Sequence, residues 1–127
     1  MQQILIDACG WVAIIDSGMN IDSELSRVYG PAQMLLLDSV RDELERLNDQ
    51  RPRSKNLLLS LLEQKSQHIQ PLSRNLEHPD DQIFELAVEH SLPVLTVDVE
   101  LKRRFYERGL PILEVSKNQR LELVEPL

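Results

Sequence analysis

Short apolar segments alternate with segments of helical periodicity along almost the whole chain, and this alternation constrains the fold most. Strands that alternate with helices are joined by crossover connections, which produce a mainly parallel sheet covered by helices. The sequence therefore predicts a three-layer α/β sandwich with a four- to five-stranded sheet flanked by helices. The predicted strands are Gln3–Ile6, Met34–Leu37, His68–Gln70, Val94–Val97 and Ile112–Val115, with Leu121–Val124 as a further terminal edge strand left open.

Helices are predicted from the spacing of apolar residues and from residues that start or stop helices. Gly30-Pro31 is a stop signal, and Pro79 suits the first turn of a helix. The predicted helices are Asp22–Tyr29, one that begins near Asp38 or Ser39, a leucine-rich helix from about Arg53 to Ser66, one from Pro79 to about His90, and one over about Val99–Arg108. The boundaries between Leu47 and Asn56 stay open.

The composition is that of one globular domain over residues 1–127, with 42% hydrophobic and 28% charged residues. The apolar run Leu57–Leu62, which is broken by Ser60, falls far short of the roughly 18 residues of a membrane span. The N-terminus shows no signal-peptide pattern. Cys9 is the single cysteine, so an internal disulfide and a thiolate zinc cluster are excluded. We expect no membrane association and a cytoplasmic location.

The net charge of −7, from 21 acidic and 14 basic residues, argues against a protein that grips nucleic acid through a broad basic surface. It remains compatible with an enzyme that meets nucleic acid through bound metal and a few local cations.

Four acidic residues are placed at one edge of the predicted sheet. Asp7 and Asp98 directly follow the first strand and Val94–Val97, and Glu43 lies in the second turn of the helix that follows Met34–Leu37. Asp80 opens a helix that runs back to the start of Val94–Val97, so its N-terminus returns to the same edge. Ligands bind outside the carboxyl ends of parallel strands. The four carboxylates are therefore expected to converge there.

The helical period distinguishes these acids from their neighbours. At about 100° per residue, Glu43 lies beside the apolar stripe of its helix, whereas Asp42 and Glu45 face solvent. By the same measure Asp80 lies within an apolar arc and Asp81 lies outside it.

Each acid also has a structural explanation. Asp98 suits an N-cap, Asp80 favours the helix dipole, and Glu43 alone is more often a solvated helix residue. Asp7 has the weakest such explanation, because a carboxylate after an apolar strand gains little structurally.

The chain resembles the PIN domain family, named for the PilT N-terminus, over nearly its whole length. The resemblance is carried by ILIDACGWVAII, LLLDSVRDELERL, HPDDQIFELAVEH and LPVLTVDVELKRRFYERGLPILEV, and it is nearest to archaeal single-domain members related to ribosomal-RNA-processing proteins. The family pattern has an Asp after the first strand, Val-x-x-Glu-Leu, Asp-x-x-Ile with a later Ala, and Thr-x-Asp. Asp7, Glu43, Asp80 and Asp98 match these four positions.

The resemblance implies a PIN-like fold and a ribonuclease that hydrolyses RNA with water at a Mg²⁺ or Mn²⁺ site. Ligand sets made only of oxygen select such hard cations. Asp7, Asp80 and Asp98 are expected to bind metal, Glu43 to hold a second metal or orient the attacking water, and Thr96 to support a metal ligand.

Six basic residues are candidates for contacts with the phosphates of single-stranded RNA, although a solvated position is the simpler reading of each. They are Arg51, Arg53, Lys55, Lys102, Arg103 and Arg104. A homodimer, an antitoxin partner, an RNA-processing partner, the cut site and the number of metal ions stay open.

The chain departs from the family pattern in two places. Ala8 and Cys9 stand where Thr or Ser follows the first Asp, and Val97 stands where Asn is usual. The loss of a polar group that orients a metal ligand commonly costs 10–100-fold in affinity or activity. Three alternatives therefore stay open: a weak or inactive PIN-like scaffold that binds RNA or protein, a toxin ribonuclease of a toxin–antitoxin pair, and a phosphoacceptor receiver domain. Asp7-Ala8 fits the receiver poorly, because it lacks an acidic pair.

Overall fold

The computed structural model describes residues 2–125 and has the predicted α/β architecture. Three predicted features are confirmed closely: the helix that begins at Asp38, the helix over Pro79–His90 and the strand Ile112–Val115. The elements in chain order are β1 Gln2–Ile6, α1 Ala8–Ser17, α2 Ile21–Val28, β2 Ala32–Leu37, α3 Asp38–Asp49, a 3-10 turn Arg53–Lys55, α4 Leu59–Lys65, β3 Ser66–Ile69, α5 Pro79–His90, β4 Val94–Leu95, α6 Val99–Glu107, β5 Ile112–Val115 and β6 Leu121–Val124.

The strands form one sheet in the order β3-β2-β1-β4-β5-β6. All neighbouring pairs are parallel except β5 and β6, which are antiparallel. The chain builds the sheet outward from β1 to β3 on one side and from β4 to β6 on the other, so the strand order reverses between β1 and β4. Ile6 is level with Leu95 in the register, so the residues that follow these two strands lie side by side at that switch point.

The central strands are buried on both faces and are almost continuously apolar, as parallel strands between two helical layers should be. Ile4 and Leu36 on β1 and β2 pack with Leu44 of α3 and Phe105 of α6 in one core. Among the described residues, the helices are too short and too polar to cross a bilayer.

The terminal edge strand over Leu121–Val124, which the sequence left open, is present as β6, so the sheet has six strands rather than four or five. β6 is held at its start by Glu24 of α2, whose carboxylate accepts the Leu121 backbone N–H at 3.1 Å. Hydrogen bonds from Arg120 and Arg27 to the same carboxylate lower the pKa of Glu24 to about 2. This cluster fastens the edge strand to the helical layer.

Helix α1 was not predicted, and the reason lies in its surroundings. The segment Ala8–Ser17 contacts α3 and β5, and most of its residues are buried or half-buried. A helix covered on most sides has no polar face until Asp16, so it lacks the apolar–polar contrast from which helices are predicted.

The predicted start of the leucine-rich helix at Arg53 is wrong. The chain makes a 3-10 turn, becomes extended at Asn56, and enters α4 only at Leu59. Leu57 is fully buried, its carbonyl accepts the Trp11 indole N–H at 2.9 Å, and its N–H donates to the Asn48 side chain at 2.8 Å. These side chains satisfy the backbone groups of Leu57 outside a helix.

Two strand boundaries also differ from the prediction. β3 covers Ser66–Ile69 rather than His68–Gln70, because it pairs in register with Met34–Leu37 of β2. β4 ends at Leu95 rather than Val97, so Thr96 already lies beyond the strand end.

A candidate active site at the switch point

Asp7 lies at the carboxyl end of β1 and is the N-cap of α1. Its side chain is buried, 3% exposed, and Oδ1 accepts the Gly10 backbone N–H at 2.8 Å. The sequence argument that this carboxylate has little structural use is therefore wrong. The same residue starts a helix and faces the switch point.

The second carboxylate oxygen of Asp7 is held from the neighbouring strand. The Thr96 hydroxyl donates to Oδ2 at 2.5 Å, and the Cys9 thiol donates to it at 3.2 Å. Thr96 is fully buried, and its oxygen also accepts the Asp98 backbone N–H at 3.1 Å. Thr96, the predicted supporting residue, thus contacts both the Asp7 carboxylate and the Asp98 backbone.

Residue 9 keeps a polar contact that the departure from the family pattern seemed to remove. The Cys9 thiol is a weak donor, but it reaches the Asp7 carboxylate and lies 3.5 Å from the Thr96 hydroxyl. Burial raises the pKa of the Cys9 thiol to about 11, so the group is a neutral donor near neutral pH. Val97 supplies no comparable polar side chain.

Burial raises the pKa of Asp7 to about 6, and the nearby charge of Asp80 adds to this effect. Hydrogen bonds from Thr96, Gly10 and Cys9 act in the opposite direction, because they stabilise the ionised form. Desolvation is the larger influence. Asp7 is therefore a buried carboxylate whose ionised form is disfavoured in the metal-free protein.

Gly10 permits α1 to approach the end of β4, and the sequence analysis missed it. A Cβ at this position would lie 2.5 Å from the Leu95 carbonyl oxygen and 2.8 Å from Asp7 Oδ1. Its sequence signal was an isolated glycine inside an apolar segment, which often marks a close backbone approach.

Asp98 and Asp80 approach the switch point from two helix N-termini. Asp98 is the N-cap of α6 and accepts the Leu101 N–H at 2.8 Å, so its predicted structural role is real. Asp80 lies in the first turn of α5, behind the N-cap His78. Partial burial raises the pKa of Asp80, and the Asp98 charge raises it further, although His78 and Arg104 oppose this.

The structure therefore links three of the four predicted acids electrostatically, through Asp7–Asp80 and Asp80–Asp98. Glu43 is half-buried on α3 and is not among the main charges acting on Asp7 or Asp80. Within residues 2–125 it forms no ion pair.

Two of the three neighbouring acids that the helical period assigned to solvent form ion pairs. Glu45 binds Arg41 at 3.0 Å, and Asp81 binds Arg104 at 2.9 Å. Asp80 thus differs from Asp81, and Glu43 from Glu45, in having no ion pair in the described part of the chain, whereas Asp42 has none either.

Ser39 and Gln82 join the two helices that carry Glu43 and Asp80, and sequence reasoning missed both. The Ser39 hydroxyl donates to Gln82 Oε1 at 2.5 Å, and the Gln82 amide donates to the Leu76 carbonyl at 2.7 Å. Gln82 is buried. No local pattern indicates this pair, because its members lie 43 residues apart.

No preformed metal cage exists in the part of the chain that the structure describes, where no three His, Cys, Asp or Glu side chains are grouped closely enough. Mg²⁺ does not need one, because it keeps several waters and is usually bound through one or two carboxylates. The donors at the switch point are oxygen atoms of mutually repelling acids, so they fit a hydrated hard cation.

The six basic candidates are dispersed, and four of them are paired with acids. Arg51 binds Asp16, Lys102 binds Glu114 at 2.8 Å, Arg103 binds Glu100, and Arg104 binds Asp81 while lying 4.3 Å from the centre of the Phe84 ring.

The remaining two, Arg53 and Lys55, are exposed on the 3-10 turn. The partner of Arg51, Asp16, is nine residues beyond Asp7 on α1, roughly 14 Å along the helix. The contact with Asp16 therefore places the 3-10 turn toward the far end of α1, away from Asp7.

Comparison with known proteins agrees with this geometry. The sequence profile of the PIN-like domain matches residues 4–118. The chain is 24% identical to ribonuclease VapC4 of Methanocaldococcus jannaschii, over 97% of each protein. Its fold is similar to that of the PIN domain endonuclease Utp24, with a TM-score of 0.80 and 22% identity over 98% of this chain and 94% of the other.

Proposed function

The chain belongs to the PIN-like domain family, and on that premise we propose that it is a ribonuclease that uses Mg²⁺ or Mn²⁺ to hydrolyse single-stranded RNA. The observation that carries the proposal is the buried Asp7 carboxylate at the switch point. Its pKa is raised, and the charge of Asp80 contributes to this increase. A cation bound beside Asp7 would stabilise the ionised form that burial disfavours, and it would offset the smaller repulsion between Asp7 and Asp80.

Similar proteins support the choice of a nuclease. The archaeal relative is named a ribonuclease, and the protein with the similar fold is named an endonuclease. Both names describe those proteins, and the proposal extends the activity to this chain because the acids occupy the matching positions of the family pattern.

The residues would divide the work as follows. Asp7, Asp80 and Asp98 would hold the cation, and Thr96 and Gly10 would fix the orientation of Asp7. When bound, the cation would neutralise charge on the scissile phosphate and make water a better nucleophile at neutral pH. Glu43 would orient the attacking water and accept its proton.

The histidines offer no alternative acid–base pair. His78 is nearest to the acids, and its Nδ1 accepts the Asp80 backbone N–H at 3.1 Å. His68 lies on the edge strand β3 and contacts Asp38. Attack by the RNA 2′-hydroxyl is therefore disfavoured. Attack by water would leave 5′-phosphate and 3′-hydroxyl ends.

The test uses a 5′-labelled single-stranded RNA and the purified protein. We expect cleavage with Mn²⁺ or Mg²⁺, none in EDTA, and none by Asp7→Asn with either metal. Asp81→Asn is the matched control, because Asp81 adjoins Asp80 but pairs with Arg104. Cyclic phosphate ends, or cleavage that survives EDTA, would contradict the mechanism.

Val97 keeps a second function open, that of a scaffold with little activity. It occupies the position where the family pattern has a polar residue, between Thr96 and Asp98. A protein that binds RNA and Mn²⁺ but leaves the RNA intact would support this reading.

A further inference from the structure

A cleft with a volume of about 410 Å³ opens between the start of α6 and the hairpin that joins β5 to β6. Val97 is one of its lining residues, and in the chain it lies between Thr96 and Asp98. The cleft therefore borders the segment that carries Thr96 and Asp98, although these two residues are not among its lining residues. Its volume is within the range of roughly 300–1,000 Å³ typical of ligand sites.

The hairpin that forms one wall is held in a defined shape. The Ser116 N–H donates to the Arg120 carbonyl at 2.8 Å, and the Gln119 N–H donates to the Ser116 carbonyl at 3.0 Å. The Ser116 hydroxyl also accepts the Asn118 N–H at 3.3 Å. These bonds present Lys117 and Asn118 at the rim before any ligand arrives.

Of the two lysines that line the cleft, only Lys117 is available to bind an anion. Lys102 and Glu114 line it but neutralise each other at 2.8 Å. Lys117 and Asn118 are exposed, and their side chains make no hydrogen bond or ion pair with any residue from 2 to 125. The remaining acid, Glu122, is level with Glu114 in the β5–β6 register and would repel an anion.

We propose that this cleft is the subsite for a nucleotide adjacent to the scissile phosphate of single-stranded RNA, with Lys117 bound to a phosphate and Asn118 hydrogen-bonded to phosphate or sugar. The proposal rests on the ribonuclease function proposed above. Lysine and asparagine side chains commonly make such backbone contacts, which position a nucleic acid without reading its sequence. The residues lining the cleft include no aromatic side chain, so base stacking plays no part.

The cleft competes with another location for the RNA, the exposed cations of the 3-10 turn. Lys55 is exposed there and, within the described residues, unpaired, so it matches Lys117 in charge and in exposure. Lys55→Ala and Lys117→Ala change the net charge equally, and neither removes a packed side chain. A difference between them reports position rather than overall charge.

The experiment measures Kd for single-stranded RNA by filter binding in EDTA over a series of salt concentrations, and kcat and KM with Mn²⁺. We expect Lys117→Ala to raise Kd and KM several-fold, to leave kcat unchanged, and to reduce the slope of log Kd against log salt by about one. Lys55→Ala should match the wild type. Glu122→Gln should lower Kd, because it removes a negative charge from the cleft.

The outcomes separate the subsite from the function. A wild type that cleaves RNA, with Lys117→Ala binding normally or Lys55→Ala losing as much affinity, would overturn the subsite and leave the ribonuclease intact. A looser Glu122→Gln complex would also overturn it. A wild type that neither binds nor cleaves RNA would overturn both.

Discussion

The Thr96 hydroxyl donates a 2.5 Å hydrogen bond to Asp7 Oδ2 across 89 residues of sequence. The contact forms because β1 and β4 are neighbours in the sheet and both strands end at the same level. The same hydroxyl oxygen accepts the Asp98 N–H at 3.1 Å. One buried side chain therefore positions two of the candidate metal ligands.

Replacement of Thr96 by Val should destabilise the protein, because it removes the hydroxyl at nearly constant shape. The Asp7 carboxylate would lose a donor and the Asp98 N–H its acceptor, at a cost of about 1–3 kcal/mol. Loss of the Thr96 donor raises the pKa of Asp7 further, so the cost should be larger at pH 7.5 than at pH 4.5. Urea unfolding followed by circular dichroism measures this. Thr96→Ser should retain most of the stability, and an equal loss in Ser and Val would contradict the hydroxyl's role.

Asp7→Asn should leave the metal-free protein as stable or more stable at neutral pH. The folded-state pKa of Asp7 is raised from 3.8 to about 6, so the folded form binds the proton more tightly than the unfolded form. The stabilisation that this protonation gives to the folded wild type is thus present below about pH 4 and is lost as the pH rises through 6. The stability of Asp7→Asn relative to wild type should therefore increase by roughly 2 kcal/mol from pH 4 to 7.5 in EDTA. If urea unfolding shows a difference in stability between Asp7→Asn and the wild type that does not change with pH, the pKa of Asp7 is not raised in the folded protein.

Gly10→Ala should weaken both folding and metal binding. The new methyl group meets the Leu95 carbonyl and the Asp7 carboxylate, and such overpacking costs about 1–3 kcal/mol, more than alanine returns in helix propensity. Calorimetry with Mn²⁺ should show reduced affinity, because Asp7 must shift. Gly18→Ala is the control at the other end of α1: its φ of 71° makes it strained too, but no atom lies within 4 Å of the added Cβ. If both variants bind Mn²⁺ equally well, the close approach has no bearing on the site.

Glu43→Gln should reduce RNA cleavage roughly 10²-fold, the scale of a lost proton acceptor, with little change in stability. Its neighbour Asp42 supplies the matched variant, Asp42→Asn, because Asp42 is exposed on the solvent side of α3. Rates of cleavage with Mn²⁺ and urea midpoints in EDTA are compared for the pair. Equal cleavage rates for the two variants would show that Glu43 has no role in catalysis and is a solvated helix residue.

The sequence was sufficient for the features that depend on local pattern. The alternation of elements led to the parallel sheet, and the placement of Asp7 and Asp98 after strands put them at its carboxyl edge. Helix α1 escaped because it is covered on most sides and shows no polar face.

Contacts between distant residues lay beyond any local pattern. Thr96 was chosen from its motif, but its bond to Asp7 depends on which strands are neighbours. The same is true of Glu24 and Arg120, 96 residues apart. Such partners become visible only when the strand order is known.

The bond between the Trp11 indole and the Leu57 carbonyl gives the protein an optical reporter. Trp11 is the one tryptophan of the chain, it is 1% exposed, and it lies on the helix that Asp7 begins. Its fluorescence emission should be blue-shifted while α1 stays docked and should move to longer wavelength when water reaches the ring. A substitution that abolishes chemistry alone will keep the native emission spectrum, and one that unseats α1 will not.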